Sequence, residues 1–341
     1  MPTRRLFLQA LTMTMLRSQH SAHPILATIE PVVKNAKHVR LHEERVGAVA
    51  DWMAYETLPW PDFRFPMIPD GDDADTMDFL FLTASINFAF TDFARHVIFT
   101  TEFDGVTRYD SDAMMACLKR AYDGGTPILE GEWLASVDRN ALGQIFRGNI
   151  EIPMLDERVA VFRELGQVLS REHDGRFHRF ARSGPRTTTD AIARLVETFP
   201  SFRDESRYAG RTVLFQKRAQ LLLWQLHSRL GASGYFALED PERLTVFADY
   251  IVPVALRLLG ITSYSSELEE TIERREVLSR DSAEEVEIRA AAIWGCHLLT
   301  AAVNERRPAD RQVIAPVVDT RLWTHYHETH WPHHLTVTTA Y

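Results

Sequence analysis

The chain has 341 residues, 45% of them hydrophobic and 25% charged, a globular composition that excludes disordered, collagen-like and low-complexity classes. Its 38 Lys and Arg against 47 Asp and Glu give a net charge of −9, so it has no global field for a phosphate backbone and duplex nucleic acid is not an expected partner. Two cysteines, Cys117 and Cys296, exclude a disulfide framework and four-cysteine metal sites and fit a reducing compartment, and no window approaches the roughly 20 apolar residues of a membrane span.

Thr3-Arg4-Arg5-Leu6-Phe7 resembles the start of a twin-arginine export signal, and Leu6 to Leu16 carries no charge. Against export, Gln9, Thr12 and Thr14 interrupt the apolar stretch, and no A-x-A cleavage site precedes His23. The expected location is cytoplasmic. Residues 1–20 are then a disordered extension, or one lying upstream of a true start at Met13 or Met15. Export is the alternative.

Ile25 to Tyr55 has helical apolar spacing, broken by Pro31. Pro59 to Asp78 is rich in Pro and Asp and reads as a solvated acidic loop. It is no EF-hand, since counting from Asp70 puts Asp75 and Phe81 where Gly and Glu are required. Phe79 to Phe90 is an apolar run interrupted by Asn87. Asp104-Gly105 between Val97–Phe103 and Val106–Tyr109 predicts a hairpin, because Asp-Gly supplies the positive φ of a type I′ turn. Helices are expected over 111–122, stopped by Gly124-Gly125, and over 156–169. Others follow over 187–199, ended by Pro200, over 211–230, and over 284–305. No repeat and no polar linker appears. The expected fold class is mainly α, a single helical domain over residues 21–341 with a small β-hairpin near 97–109.

Five places attract chemical interest. Asp249 and Arg257 are the only charges in Leu244–Gly260, and a bare carboxylate in such a run must be turned outward, paired or protonated. Pro253 cannot donate to the carbonyl of residue 249, so a helix more comfortably starts at about Asp249 or Tyr250, with the carboxylate at its N-terminus. A plain Asp cap fits these residues as well. Lys217 shares a helix face with Leu221 and Trp224, lining a pocket or snorkelling at the core edge. Asp204 reads as a turn residue, and Glu287 and Trp294 share one helix face. His325, His327, His330, His333 and His334 crowd ten residues, but there is no H-E-x-x-H and Pro332 breaks the helix that would align ligands, so no metal is expected. No Walker A, G-x-G-x-x-G or G-x-S-x-G motif occurs.

Seven segments in order resemble the queuosine salvage protein family, the queuosine 5′-phosphate N-glycosylases. They are Ala84–Phe90, Ile152–Leu155 with Glu157-Arg158, Phe199–Asp204, Phe215–Gln220, Phe247–Tyr250 with Pro253, Glu285–Arg289 with Trp294, and the ending around His334 and Tyr341. The resemblance implies a mainly helical hydrolase, architecturally like helix-hairpin-helix DNA glycosylases, that splits queuosine 5′-phosphate into queuine and ribose 5-phosphate without cofactor or metal. It makes Asp249 the glycosylase aspartate and puts Lys217 in the pocket. The chemistry of the reaction adds Asn87, Asp204 and Glu287 as partners of the base, Phe88, Tyr250 and Trp294 as flat walls, and Arg218 beside Lys217 for the phosphate. The alternatives are another N-glycosylase, acting on a DNA lesion or a purine nucleotide, and a non-catalytic helical binding protein.

Overall fold

The computed structural model describes residues 23–329 and 331–341. The expected export signal or extension over residues 1–20 lies outside them, as does His330. Among the described residues there are 14 α-helices and only two-stranded sheets, with 54% of the structure helical, so the fold is mainly α. The chain divides into two compact units. One comprises the described residues up to Leu58, Glu205–Phe215 and Ala248–His334, and the other Pro59–Asp204, Gln216–Phe247 and Leu335–Tyr341.

The first unit is built on the helix Ala283–Asn304. The Ser282 side chain caps it by accepting from Glu285 N–H, and Glu284 and Glu285 sit in the first turn, where the dipole favours acids. This helix is long and apolar enough to cross a membrane, which corrects the expectation that no window comes close, but 72% of its apolar window is buried inside the fold, as in a core helix. Helices Pro24–Asn35, Glu43–Met53, Ile251–Leu258 and Ala315–His327 pack on it, which explains why it is apolar nearly all round. The Pro24–Asn35 helix passes through Pro31 and stops only where Ala36 becomes extended. Strand Val39–Leu41 then pairs antiparallel with Thr262–Tyr264.

The hairpin Glu205–Tyr208 with Arg211–Leu214 also belongs to this unit and corrects the expected helix over 211–230. Ala209 (φ 47°) and Gly210 (φ 78°) form its two-residue turn, Gln216 (φ 52°) breaks the backbone again, and the helix begins only at Lys217.

In the second unit the acidic loop ends earlier than expected. Asp72 accepts from Ala74 and Asp75 N–H and starts the helix Asp73–Ser85. Phe81 of that helix stacks on Phe177, 3.8 Å between centroids and 5° between planes, with Phe199 and Phe202 completing an aromatic core. The Asp104-Gly105 hairpin forms with Phe103 opposite Val106 and Thr100 opposite Tyr109. Helices Leu155–Glu172 and Gly131–Ser136 lie close together, because a Cβ on Gly166 would meet the Ala135 amide at 2.1 Å.

Candidate functional site

In the first unit, Asp249 lies just before the helix Ile251–Leu258. Its Oδ1 accepts from the amides of Ile251 (2.8 Å) and Val252 (3.3 Å), and the residue is 8% exposed. One carboxylate oxygen therefore takes the helix N-terminal donors and the local structure follows from Pro253, whose ring is tolerated in a first turn. The Arg289 Nε donates to the Ala248 carbonyl (3.1 Å), its guanidinium lies 3.9 Å over the Phe215 ring, and Glu285 stands 3.6 Å away. Arg289 and Glu285 are both buried, so the segment carrying Asp249 is tied to the central helix by a charged group held inside the fold.

The Tyr250 ring stacks on His333, with centroids 4.5 Å apart and planes at 26°. His333 Nδ1 lies 2.8 Å from the His334 carbonyl. His334 is itself buried, and burial, reinforced by His333 and Arg289, pulls its imidazole down to a pKa of about 3. His227, in the other unit, is likewise lowered by burial, and its Nδ1 accepts from the Leu238 amide at 3.0 Å. A buried imidazole that resists its proton is protonated first in the unfolded chain. The stability linked to His334 is therefore complete above about pH 6.5 and is lost as pH falls from there towards 3, by at most about 1.4 kcal/mol per pH unit. Urea midpoints measured at pH 7.5 and 5.5 are expected to drop with acid, and His334→Gln to flatten part of that slope. An unchanged slope would assign the acid sensitivity elsewhere.

Glu287 was expected at the substrate, and the structure gives it another task. Its Oε2 accepts from the backbone N–H groups of Lys37 (2.9 Å), His38 (2.6 Å) and Val39 (3.1 Å), and its Oε1 from the Tyr208 hydroxyl (2.7 Å). Burial and this carboxylate push the Tyr208 hydroxyl pKa up. Glu287 thus fastens the link after the first helix and the 205–214 hairpin to the central helix. Trp294, two turns on, lines a cavity of about 570 Å³ with Lys34, Lys37, Val39, Leu41 and Tyr264, and Asp249 is not among the lining residues.

In the second unit, Lys217 opens the helix Lys217–Leu230 and is 4% exposed. Its Nζ donates to Asn87 Oδ1 (3.1 Å) and its amide to Asp204 Oδ2 (3.0 Å). Asp204 and Gln216 also clasp each other: Asp204 N–H donates to Gln216 Oε1, and Gln216 N–H donates to the Asp204 carbonyl, both at 3.1 Å. The chain leaves this unit after 204 and returns at 216, so this pair of hydrogen bonds joins the two ends of the excursion. Asn87, Asp204 and Lys217, separated widely in sequence, form one polar cluster.

Phe88 and Arg218 do not face outward. Phe88 is 0% exposed, with Arg158 and Arg218 guanidiniums 4.5 and 5.3 Å from its ring centre, which corrects the expectation of a wall for the base. Arg218 donates to the carbonyls of Ser85 and Ser201 and is 1% exposed, so it braces Lys217 where a phosphate partner was expected. Arg158 was missed as a supporting residue. It is fully buried and donates to the carbonyls of Pro153, Ile86, Phe88 and Ala89, thereby shaping the turn that presents Asn87. Burial, with Arg218 nearby, lowers its pKa to about 9. An arginine among Leu155, Val159 and Phe162 was the available signal. Among the described residues no group of three His, Cys, Asp or Glu side chains gathers to hold an ion.

The family model described as queuosine salvage protein matches residues 67–341. The chain belongs to that family. A relative from Sphaerobacter thermophilus, named queuosine 5′-phosphate N-glycosylase/hydrolase, is 36% identical over 300 residues, covering 88% of this chain and 91% of its own. Relatives of the same name from Mus musculus (29% over 307 residues, 87% and 91% of the two chains) and Schizosaccharomyces pombe (27% over 318 residues, 88% and 90%) are similar over comparable lengths. The queuosine salvage match takes in Asn87, Asp204, Lys217 and Asp249, and so covers both the polar cluster and the capped carboxylate.

Proposed function

We propose that the protein hydrolyses the N-glycosidic bond of queuosine 5′-phosphate, with water, to queuine and ribose 5-phosphate. The observation that carries this reading is extended similarity to N-glycosylases of that name together with a buried aspartate at a helix start. As the bond breaks, positive charge grows on the ribose C1′ and ring oxygen. A carboxylate held in place by two amides meets that charge without rearranging. Asp249 fills this role and orients the attacking water. The leaving base is a 7-deazaguanine with no N7 to protonate, so its departing electron pair must be met by donors along its edge or by a proton delivered elsewhere. Tyr250, beside Asp249, offers a hydroxyl and a flat ring to the substrate.

In the second unit, Lys217, Asn87 and Asp204 supply the polar recognition. Lys217 lies at a helix N-terminus, where backbone N–H groups and its own point charge suit the 5′-phosphate as the anion it would meet. Lys217→Ala is expected to reduce kcat/KM on queuosine 5′-phosphate by about a hundredfold and on the plain nucleoside by no more than about threefold. Equal losses on both would remove Lys217 from the phosphate.

The direct test is incubation of the purified protein with queuosine 5′-phosphate, queuosine and guanosine 5′-phosphate, with products read by mass spectrometry. Queuine and ribose 5-phosphate appearing in equal amounts support the reading. Thermal stabilisation by queuine with no base release would leave a binding protein instead.

A further inference from the structure

Tyr250 follows Asp249 and its backbone spans the turn that the Asp249 Oδ1 bonds to Ile251 and Val252 close, so a support that holds the Tyr250 side chain also restrains the backbone of that turn. Tyr250 has φ −92° and ψ −15° and no side-chain cap of its own, and the bonds that define the turn run from Asp249 Oδ1 to the amides of Ile251 and Val252. The Tyr250 ring rests on His333, a residue far along the chain but within the same unit. The imidazole is anchored in turn. Its Nδ1 faces the His334 carbonyl at 2.8 Å, and since a carbonyl only accepts, Nδ1 must carry a proton. That bond fixes the plane of the imidazole and therefore the plane of the phenol ring lying on it. His334, whose carbonyl provides the anchor, is 3% exposed and has little room to move.

We infer that His333 is a positioning residue for glycosidic bond cleavage, holding Tyr250 by the flat contact of its ring and, through the backbone of that turn, setting the direction of the Asp249 carboxylate. This rests on the reading of Asp249 as the reacting carboxylate. The ring contact is the active feature, so any flat ring of similar size at 333 preserves much of it, while a small side chain does not. Loss of a rigid support displaces the reacting oxygen, so the main effect falls on kcat, with a smaller change in KM from the shifted Tyr250 ring.

The experiment compares wild type, His333→Ala, His333→Phe and Asp249→Asn for queuine release, with a melting curve for each. It adds the side-chain resonances of His333 in selectively labelled protein, wild type against Tyr250→Leu. Expected are a fall in kcat of about tenfold for His333→Ala with KM within about twofold, and recovery of most of that loss in His333→Phe. The His333 resonances are expected to shift when Tyr250 loses its ring. Wild-type kcat in His333→Ala overturns the inference, as does a His333→Phe variant no faster than His333→Ala. A fall in activity matched by an equal loss of folded protein at the assay temperature overturns it too, as a merely structural effect. Wild-type turnover in Asp249→Asn sinks the reading of the carboxylate instead, and the resonance shift still reports whether the rings stack.

Discussion

Asp249→Asn is expected to abolish nearly all base release while leaving the fold intact, a fall in kcat of about a thousandfold, or about 4 kcal/mol of transition-state stabilisation. The two consequences separate because the proposed reaction gives the capping side chain a second job with the same atoms. As a cap, Oδ1 accepts from the Ile251 and Val252 amides, and the amide oxygen of asparagine accepts as well. In the proposed reaction the carboxylate faces a sugar that becomes cationic, and the neutral amide cannot replace it there. The melting temperature of Asp249→Asn should therefore lie within about 2 °C of wild type, since Asn and Asp cap helices about equally well. Asp249→Ala, which loses both jobs, should be as inactive and measurably less stable. Turnover is read as queuine by mass spectrometry and folding by circular dichroism. An Asp249→Asn variant that releases queuine at near wild-type rate leaves the residue as a cap alone.

The cap itself was legible in the sequence, because Pro253 allows few places for a helix to start and Asp249 is the only acid near them. The Asp104-Gly105 hairpin was legible for the same kind of reason: two residues with positive φ, 51° and 73°, dictate a local structure regardless of what packs around it. The second hairpin was not, because its turn is Ala209-Gly210 and alanine carries no preference for the φ of 47° it adopts there. That conformation is set by the strands it joins. The division into two units was equally hidden: of the passages at 58, 204, 215, 247 and 334 only the first meets a Pro-rich stretch, and that stretch, Pro59 to Asp78, reads as a surface loop rather than a boundary. Side-chain direction was the last thing sequence could supply. Phe88, Arg218 and Glu287 are of the right chemical types for a nucleotide, and the family segments contain them. Only the backbone carbonyls around Arg218, the guanidiniums over Phe88 and the amides around Glu287 reveal that these groups are occupied inside the protein. Asn87 and Lys217 are 130 residues apart and become a pair only through the fold.

Glu287 gives the largest expected change in stability. Its carboxylate satisfies three consecutive backbone N–H groups, at Lys37, His38 and Val39, just where the chain leaves one helix and enters a strand too short to satisfy them by itself. Glu287→Ala strands those donors, one of them fully buried, and also removes the partner of the Tyr208 hydroxyl. A buried donor left unsatisfied costs about 1–3 kcal/mol, so the variant should lose about 4 kcal/mol in urea unfolding, with some of the donors recovering water. Glu287→Gln keeps an acceptor oxygen for the amides and an NH₂ that the Tyr208 oxygen can accept from, so it should lose only about 1–2 kcal/mol, chiefly the charge-assisted part of the bonds. The ordering Ala, Gln, wild type in stability distinguishes this clasp from a contact with substrate. A ligand-facing carboxylate would show the opposite signature: both variants would melt with wild type, and both would lose turnover or affinity for queuine at a temperature where all three are folded.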